Sequence, residues 1–170
     1  MARNNMREVI FGIEDSLITC LGTVTGVAAG TQDQFIILLS GVVVTVVSIT
    51  SMSAGSYLSA KSAEEAEEPH QKESHLLSIS LRAALIMAVS YGIGGFLPLL
   101  PYVFFPIHMA LYIDPCFTAI ILFGVGMGSA HYTKRSVWKS GFEMMIVSLG
   151  AVVIGYMIGQ EFTNLFNMSL

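Results

Sequence analysis

Five long apolar segments restrict what this chain can fold into. Each is close to the roughly 20 residues that an α-helix needs to cross the hydrocarbon core of a bilayer. Hydrophobic residues make up 54% of the 170-residue sequence, so little remains for a separate soluble core. The sequence predicts an all-α, multi-pass integral membrane protein with five transmembrane helices in a single domain, 1–170. The predicted spans cover about residues 8–30, 34–60, 79–105, 108–131 and 141–160.

The basic residues determine the predicted orientation. All eight lie before the first segment, around the connection between the second and third, or between the fourth and fifth. These three regions share one side of the membrane, and the positive-inside rule makes that side the cytosol. We therefore expect a cytosolic N-terminus and an external C-terminus. The eight are Arg3, Arg7, Lys61, Lys72, Arg82, Lys134, Arg135 and Lys139.

Charge and cysteine usage argue against several other classes of protein. A net charge of −4, without a basic stripe that alternates with aromatic residues, argues against a nucleic-acid partner. Cys20 and Cys116 are isolated in apolar segments and form no CxxC pair, so we interpret them as small buried hydrophobes. No pair of nucleophile and base and no closed metal cluster can be assembled from the motifs. We expect neither enzymatic activity nor a permanently bound cofactor.

Two adjacent carboxylates, Glu14 and Asp15, interrupt the first apolar segment. An ionised Asp at the bilayer centre costs about 2.5–3.5 kcal/mol, so such residues usually face a protein interior or an ion pathway. Asp15 falls on a face of polar and small residues, whereas Glu14 lies about 100° away and is interpreted as a flanking or interface group. No Lys, Arg or His occurs in the membrane part of this segment or the next. We predict that Asp15 lies on an ion or proton path.

Polar and small residues recur in the second segment at steps of three and four. A short turn at 31–33 joins the two segments, so they must form neighbouring antiparallel helices. Their polar faces can then line one pathway. The predicted lining residues are Gly12, Thr19, Thr45, Ser48 and Ser56.

Helix geometry places Met52 at the depth of Asp15. Asp15 follows Arg7 by eight residues and Met52 precedes Lys61 by nine, so at 1.5 Å per residue both lie about 12–14 Å from the cytosolic end. A carboxylate with a thioether suits a borderline transition metal better than Mg²⁺ or Ca²⁺. We predict Asp15 and Met52 as metal ligands. The alternative for Met52 is that it fills a gap in the packing, since ten Met residues are scattered through the chain.

The longest hydrophilic connection, 61–78, is rich in Glu and His. One interpretation is a mixed-charge solvated loop without a function of its own. The other is that the second helix continues to Glu68, ends at Pro69 and concentrates divalent cations at the mouth of the pathway, although the spacing matches no defined metal motif. The candidate residues at this mouth are Glu8, Glu64, Glu67, Glu68, His70 and Glu73.

Two features concern helix ends and packing. The fourth helix has two alternative starts, one near His108 and one at Asp114, where Asp followed by Pro is a good N-cap and first-turn pair. Small residues four apart let helices approach closely in lipid. We expect packing faces at such positions, which are Gly124, Gly128, Ala151, Gly155 and Gly159.

Several of these motifs together resemble the vacuolar iron transporter family of Fe²⁺ and Mn²⁺ carriers. REVIFGIEDSLITCLGTVTGVAAG resembles the first helix of that family, SMSAGSYLSAKS its second-helix signature and GGFLPLLPY the end of its third helix, while the glycine-rich fifth span resembles its last helix. The resemblance implies a five-helix protomer that works as a homodimer, with a path near the dimer axis lined by first and second helices. It also implies that the metal ligands are Asp15 and Met52.

The resemblance further implies export of Fe²⁺ or Mn²⁺ from the cytosol in exchange for H⁺. The membrane would be the cell membrane of a prokaryote or a vacuolar-type membrane of a eukaryote. Two departures from the family pattern matter. Ser56 stands where the signature usually has Glu, and the 61–78 connection is too short for the Glu- and Met-rich cytosolic domain of vacuolar members. Two alternatives therefore stay open, a proton-independent divalent-cation channel or carrier and a non-transporting membrane metal-binding or sensor protein.

Overall fold

The five predicted membrane-spanning helices are present in the structure, a computed structural model that describes residues 2–67, 73–133 and 136–167. No strand occurs within these ranges. The all-α membrane fold predicted from the sequence is therefore confirmed. The helices are α1 Ala2–Thr31, α2 Gln34–Glu67, α3 Glu73–Phe96, α4 Leu100–Phe104, α5 Ile107–Thr133 and α6 Val137–Asn167, with a 3-10 turn at Leu97–Leu99 between α3 and α4.

The membrane-length parts of these helices largely coincide with the apolar segments of the sequence. The clearest differences are at the end of the second span and at both ends of the fifth, where the helix continues into more polar residues. The third span combines α3 with the 3-10 turn and α4. The five spans are Met6–Thr31, Gln34–Ala66, Leu76–Phe104, Ile107–Ala130 and Val137–Phe166.

Helix α1 is the central helix of the bundle. It packs against α2, α3, α5 and α6, and Leu17, Leu21 and Val24 on it are fully buried. The most apolar stretches of α1 and α3 are each 39% buried, whereas those of α2 and α6 are 17% and 11% buried. Helices α2 and α6 therefore form the periphery, where apolar side chains face lipid or another protein. The carboxylate of Asp15 lies on one of the two most enclosed helices.

A tight turn connects α1 to α2. Gln32 adopts the left-handed conformation, with φ of 51°, directly after α1 ends. The Oδ1 atom of Asp33 then accepts hydrogen bonds from the backbone N–H groups of Phe35 at 2.8 Å and Ile36 at 3.1 Å. This is an N-cap, which satisfies donors that the first turn of α2 leaves free. The turn thereby sets the antiparallel course of α1 and α2.

The structure selects one of the two alternative starts of the fourth span. Helix α5 begins at Ile107, directly after Pro106, whose carbonyl accepts a hydrogen bond from the N–H of Ala110 at 2.9 Å. Asp114 and Pro115 therefore lie inside α5 and do not begin it. The Asp114 side chain is fully buried. An N-cap at Asp114 is excluded because the helix is already two turns long there.

Glycines allow α1 and α6 to approach at backbone distance. A Cβ added at Gly26 would lie 2.8 Å from the carbonyl oxygen of Gly155, and one added at Gly159 would collide with the carbonyl oxygen of Gly26. The predicted packing face of the fifth span is therefore present. At Gly124 and Gly128, an added Cβ would meet no described atom within 4 Å. Those two glycines leave open space on the protomer surface.

The two ends of the bundle differ in charge. The starts of α1, α3 and α6 and the ends of α2 and α5 share one end, which we name the basic end. Exposed basic side chains at this end belong to Arg7, Lys61, Arg82 and Lys139. The opposite end carries the α1–α2 turn and the α4–α5 connection. Assignment of the basic end to the cytosol stays a prediction from the positive-inside rule.

Substituting Gly155 with Ala is expected to lower the apparent melting temperature of the purified protein in detergent. The new Cβ would collide with the carbonyl oxygen of Gly22, and overpacking of this kind costs about 1–3 kcal/mol. Gly150→Ala is the matched control, because the same substitution on the same helix meets no described atom within 4 Å. Equal melting temperatures for the two variants would contradict the close α1–α6 contact.

Candidate metal site

Asp15 lies on α1 between two close contacts with α3. A Cβ added at Gly12 would lie 3.0 Å from Cβ of Ser90, so the two backbones are in near contact one turn before Asp15. Ser16, the residue after Asp15, is fully buried. A Cβ added at Gly94 would collide with the Ser16 hydroxyl, so this contact between α1 and α3 requires glycine. The Asp15 side chain is itself partly buried. Gly12 and Ser16 are thus directed at α3.

Tyr91 of α3 brings the predicted polar residues of α1 and α2 together. Its side chain is only 2% exposed. Its hydroxyl lies near Asp15 and Thr19 of α1 and Ser48 of α2. A tyrosine hydroxyl donates one hydrogen bond and accepts others, whereas an ionised carboxylate only accepts. Tyr91 can therefore donate to Asp15 and hold it beside the two hydroxyls.

Sequence reasoning missed Tyr91. A signal was available, since a Tyr in the middle of an apolar span usually buries its ring and finds a partner for its hydroxyl. The partner is not available from sequence alone, because Tyr91 is 76 positions from Asp15 and lies on a helix that the pathway prediction did not include. The close approach of α1 and α3 brings Tyr91 and Asp15 together.

Near the basic end, Glu8 and Ser56 form a hydrogen bond. Ser56 Oγ donates to Glu8 Oε2 at 2.9 Å, and the Ser56 side chain is 8% exposed. Glu8 precedes Asp15 by seven residues, which is about 10 Å along α1. A carboxylate of α1 thus lies at the level of position 56 of α2.

The remaining predicted lining residues occupy two kinds of environment. Thr45 is buried and its Oγ1 donates to the backbone carbonyl of Gly95 at 3.2 Å. Gly12 is also buried, in its contact with α3. These two residues therefore lie between helices. Met52 is partly buried, one turn after Ser48 along α2, and it projects from the same face of that helix.

The predicted residues at the mouth are only partly within the described structure. Glu64 is partly buried on α2, and the nearby pair Lys61–Glu65, at 3.8 Å, is exposed and adds little stability. Helix α2 continues to Glu67 and α3 begins at Glu73, but the side chains of these two residues, like the whole of Glu68 and His70, lie outside the described residues. Collection of metal by this connection stays a prediction.

The donors available to a metal ion in one protomer are few. Among the side chains that the structure describes, no three or more His, Cys, Asp and Glu residues converge on one point. Asp15 offers one carboxylate, with Tyr91, Thr19 and Ser48 as neutral oxygen donors nearby, and Met52 lies one turn from Ser48 on α2. This set binds a transition metal fully only with further donors from water or a second protomer.

Comparison with known proteins covers all five helices. A family model described as the VIT family matches residues 6–79 and 65–160. An uncharacterized protein of Methanocaldococcus jannaschii is 30% identical over 171 aligned residues, which cover 92% of this chain and 89% of that protein. Vacuolar iron transporter 1 of Arabidopsis thaliana is 35% identical over 69 residues, which are 40% of this chain and 28% of the plant protein. The similarity to the plant protein therefore concerns a part of each chain.

The Glu8–Ser56 hydrogen bond predicts coupling between the two positions. Ser56→Ala and Glu8→Ala are expected to show an interaction energy of about 0.6–1.7 kcal/mol, the average and upper values for interhelical hydrogen bonds in membranes. A double-mutant cycle on the unfolding free energy in detergent measures it. The matched control pairs Ser56→Ala with Glu65→Ala, since Glu65 is exposed and bonded to Lys61 instead. Additive effects of Ser56→Ala and Glu8→Ala would contradict the bond.

Proposed function

The chain belongs to the VIT family, and on this premise we propose that it exports Fe²⁺ and/or Mn²⁺ from the cytosol in exchange for protons. Membership of the family and the partial similarity to a vacuolar iron transporter support the coarser statement that it is a membrane-spanning metal-ion transporter. A transporter of this kind needs no catalytic group and no resident cofactor. The cargo, the direction and the proton coupling are the finer parts of the proposal.

The observation that carries the proposal is Asp15 among hydroxyl groups in the centre of the bundle. Its neighbour Tyr91 also faces Thr19 and Ser48, and residues 8–30 of α1 and 34–60 of α2 contain no Lys, Arg or His. An ionised carboxylate at this depth is costly without a positive partner. A mobile cation or a proton is the partner that remains. Asp15 therefore suits a site that is occupied in turn by metal and by H⁺.

The chemistry of the donors supports a transition metal as cargo. Mg²⁺ and Ca²⁺ prefer shells made of oxygen alone, whereas Fe²⁺ and Mn²⁺ accept a carboxylate together with softer donors. Met52 adds a thioether at the predicted depth of Asp15. A second copy of the chain, related by a two-fold axis near α1 and α2, would double this set to two carboxylates and two thioethers. The proposal therefore includes a homodimer.

The proposed direction of transport follows from the charges at the ends of the bundle. With the basic end in the cytosol, metal enters past Glu8 and reaches Asp15 about 10 Å further along α1. Metal binds the deprotonated carboxylate, so a proton from the opposite side that binds Asp15 favours release. The carboxylate of Glu8 beside Ser56 keeps an acidic group at the mouth.

Asp15→Asn is expected to reduce Mn²⁺ uptake into inverted membrane vesicles by about tenfold or more, which corresponds to about 1.4 kcal/mol. The amide keeps the shape of the side chain but removes the charge that attracts the cation. Glu14→Gln is the matched control, because it removes the neighbouring carboxylate from another face of α1, and uptake should stay close to wild type. Wild-type uptake by Asp15→Asn would contradict the assignment of Asp15.

Met52→Leu is expected to reduce the preference for Fe²⁺ and Mn²⁺ over Mg²⁺, because leucine keeps the volume but removes the sulfur. Competition among these ions during uptake into proteoliposomes measures the preference. Met157→Leu is the control, since Met157 is exposed on α6 and far from Asp15 in the sequence. An unchanged preference in Met52→Leu would show that Met52 only fills space.

The same proteoliposomes, loaded with a pH-sensitive dye, test whether metal flux is coupled to proton flux. Proton movement that depends on Mn²⁺ is expected in the direction opposite to the metal. Metal flux without proton flux would support a proton-independent channel or carrier. Stoichiometric binding of Mn²⁺ to the purified protein without flux would support a membrane metal-binding or sensor protein.

A further inference from the structure

A second group of buried polar side chains lies away from the basic end, and we propose that Asp114 within it binds the proton that is exchanged for metal. We name this group the outer polar cluster. It comprises Thr25 of α1, Tyr102 of α4, and Asp114 and Thr118 of α5. The proposal deepens the proposed function, because it assigns a residue to the proton side of metal–proton exchange.

The outer polar cluster is closed to solvent and to lipid. Asp114, Thr118 and Tyr102 are 0% exposed and Thr25 is 1% exposed. The cluster borders the hydrophobic core formed by Cys20, Val24, Ala28, Ile37, Leu99, Tyr102 and Ala110. Tyr102 is further fixed through its backbone, since Gln34 Nε2 donates to its carbonyl oxygen at 2.7 Å. A charged group here has no access to bulk water.

Three buried polar atoms of this cluster have no hydrogen-bond partner in the described part of the chain. They are Asp114 Oδ2, Tyr102 Oη and Thr25 Oγ1. The other carboxylate oxygen of Asp114, Oδ1, accepts a hydrogen bond from Thr118 Oγ1 at 3.0 Å. Buried polar atoms in proteins nearly always have a partner, and an exception calls for an explanation. Three exceptions in one cluster call for a proton, a water molecule or another ligand that pairs with them.

The neighbours of Asp114 identify a proton as that ligand. The titratable groups that face it are Tyr102 from α4 and Cys20 from α1, and α2 adds only the hydroxyl of Thr45, which faces Cys20. No ion pair to Asp114 is formed by any described Lys, Arg or His. An ionised carboxylate would thus be buried without a positive partner. One carboxylate among neutral hydroxyls is also a poor shell for a divalent metal.

A single proton on Asp114 Oδ2 can satisfy all three unpartnered atoms. The resulting O–H can donate to the Tyr102 hydroxyl oxygen, and the Tyr102 O–H can donate to Thr25 Oγ1, after small side-chain rotations. Tyr102 already faces both Thr25 and Asp114. The same proton removes the buried negative charge. Protonated Asp114 therefore completes the cluster without a metal ion.

Polar side chains lie between the outer polar cluster and Asp15 inside the bundle. Cys20 lies near Asp114 and Tyr102 and near Thr45, whose hydroxyl donates to the backbone carbonyl of Gly95. Thr45 lies one turn before Ser48 on α2, and Ser48 faces Tyr91 together with Asp15. From Thr25 to Asp15 the distance along α1 is about 15 Å.

The proposed transfer moves one proton and forms no other bond. The proton leaves Asp114 Oδ2, passes along the hydroxyl groups and binds a carboxylate oxygen of Asp15, from which the metal ion departs. The Asp114 carboxylate then takes up another proton from the opposite end of the bundle.

Metal and proton fluxes through the full-length protein in proteoliposomes test the role of Asp114. Asp114→Asn is expected to lower Mn²⁺-dependent proton flux and uptake driven by a pH gradient by about tenfold or more. Exchange of Mn²⁺ for Mn²⁺ needs no net proton movement and should stay close to wild type. Cys116→Ala is the matched control, since Cys116 is exposed two residues further along α5. Wild-type proton coupling in Asp114→Asn would overturn the proposal.

Two measurements keep the test valid if Asp114→Asn fails to fold. Tyr102→Phe retains the ring but removes one hydroxyl of the outer polar cluster, and it should lower proton coupling severalfold while leaving Mn²⁺ exchange intact. Thr118→Val should shift the carbonyl band of a protonated carboxyl at neutral pH. Infrared difference spectra of the wild type against this variant measure the shift. Normal coupling in Tyr102→Phe, or the absence of such a band, would overturn the proposal.

The outcomes distinguish an error in the proposed function from an error in the role assigned to Asp114. If the wild-type protein moves no Mn²⁺, or moves Mn²⁺ without protons, the proposed function itself is wrong. If the wild type couples the two fluxes and Asp114→Asn does so equally, only the role of Asp114 is wrong.

Discussion

The structure depends on keeping the carboxylate of Asp15 away from lipid. A bilayer supplies neither water nor counter-ions to a charged side chain, so the helix that carries Asp15 must be surrounded by other helices. Helix α1 has that position, since it contacts α2, α3, α5 and α6. The peripheral helices α2 and α6 carry the apolar surface. The position of α1 among the other helices is therefore consistent with the carboxylate that it carries.

Small residues make this enclosure tight enough to build a polar site. Gly12 and Gly94 bring α1 and α3 together on both sides of Asp15, and Gly155 brings α6 against α1. At such distances the hydroxyl of Tyr91 on α3 lies near both Asp15 of α1 and Ser48 of α2. In lipid there is no hydrophobic force between helices, so close packing and hydrogen bonds between helices must stabilise the bundle. The same contacts therefore provide both stability and the geometry of the site.

Two membrane carboxylates have different surroundings, and the proposed roles differ accordingly. Asp15 is partly buried and faces three hydroxyls, which suits a site that exchanges metal for a proton. Asp114 is fully buried with one oxygen unpartnered, which suits a group that only binds and releases a proton. A carrier that couples two ions needs their sites to communicate without sharing every ligand. The polar row from Thr25 to Asp15 through Cys20 and Thr45 offers this connection.

The sequence by itself determined the number of helices, because the length of an apolar run and the position of charges are local properties. It also singled out Asp15 as a candidate, because a carboxylate in an apolar helix is visible without any structure, and helical rise alone predicted a similar depth for Met52. The tertiary structure decided which faces meet. Tyr91 beside Asp15, Glu8 bonded to Ser56 and the burial of Asp114 inside α5 all depend on contacts between residues far apart in the chain. Sequence periodicity describes the face of one helix, whereas the partner of that face is set by how closely other helices can approach it.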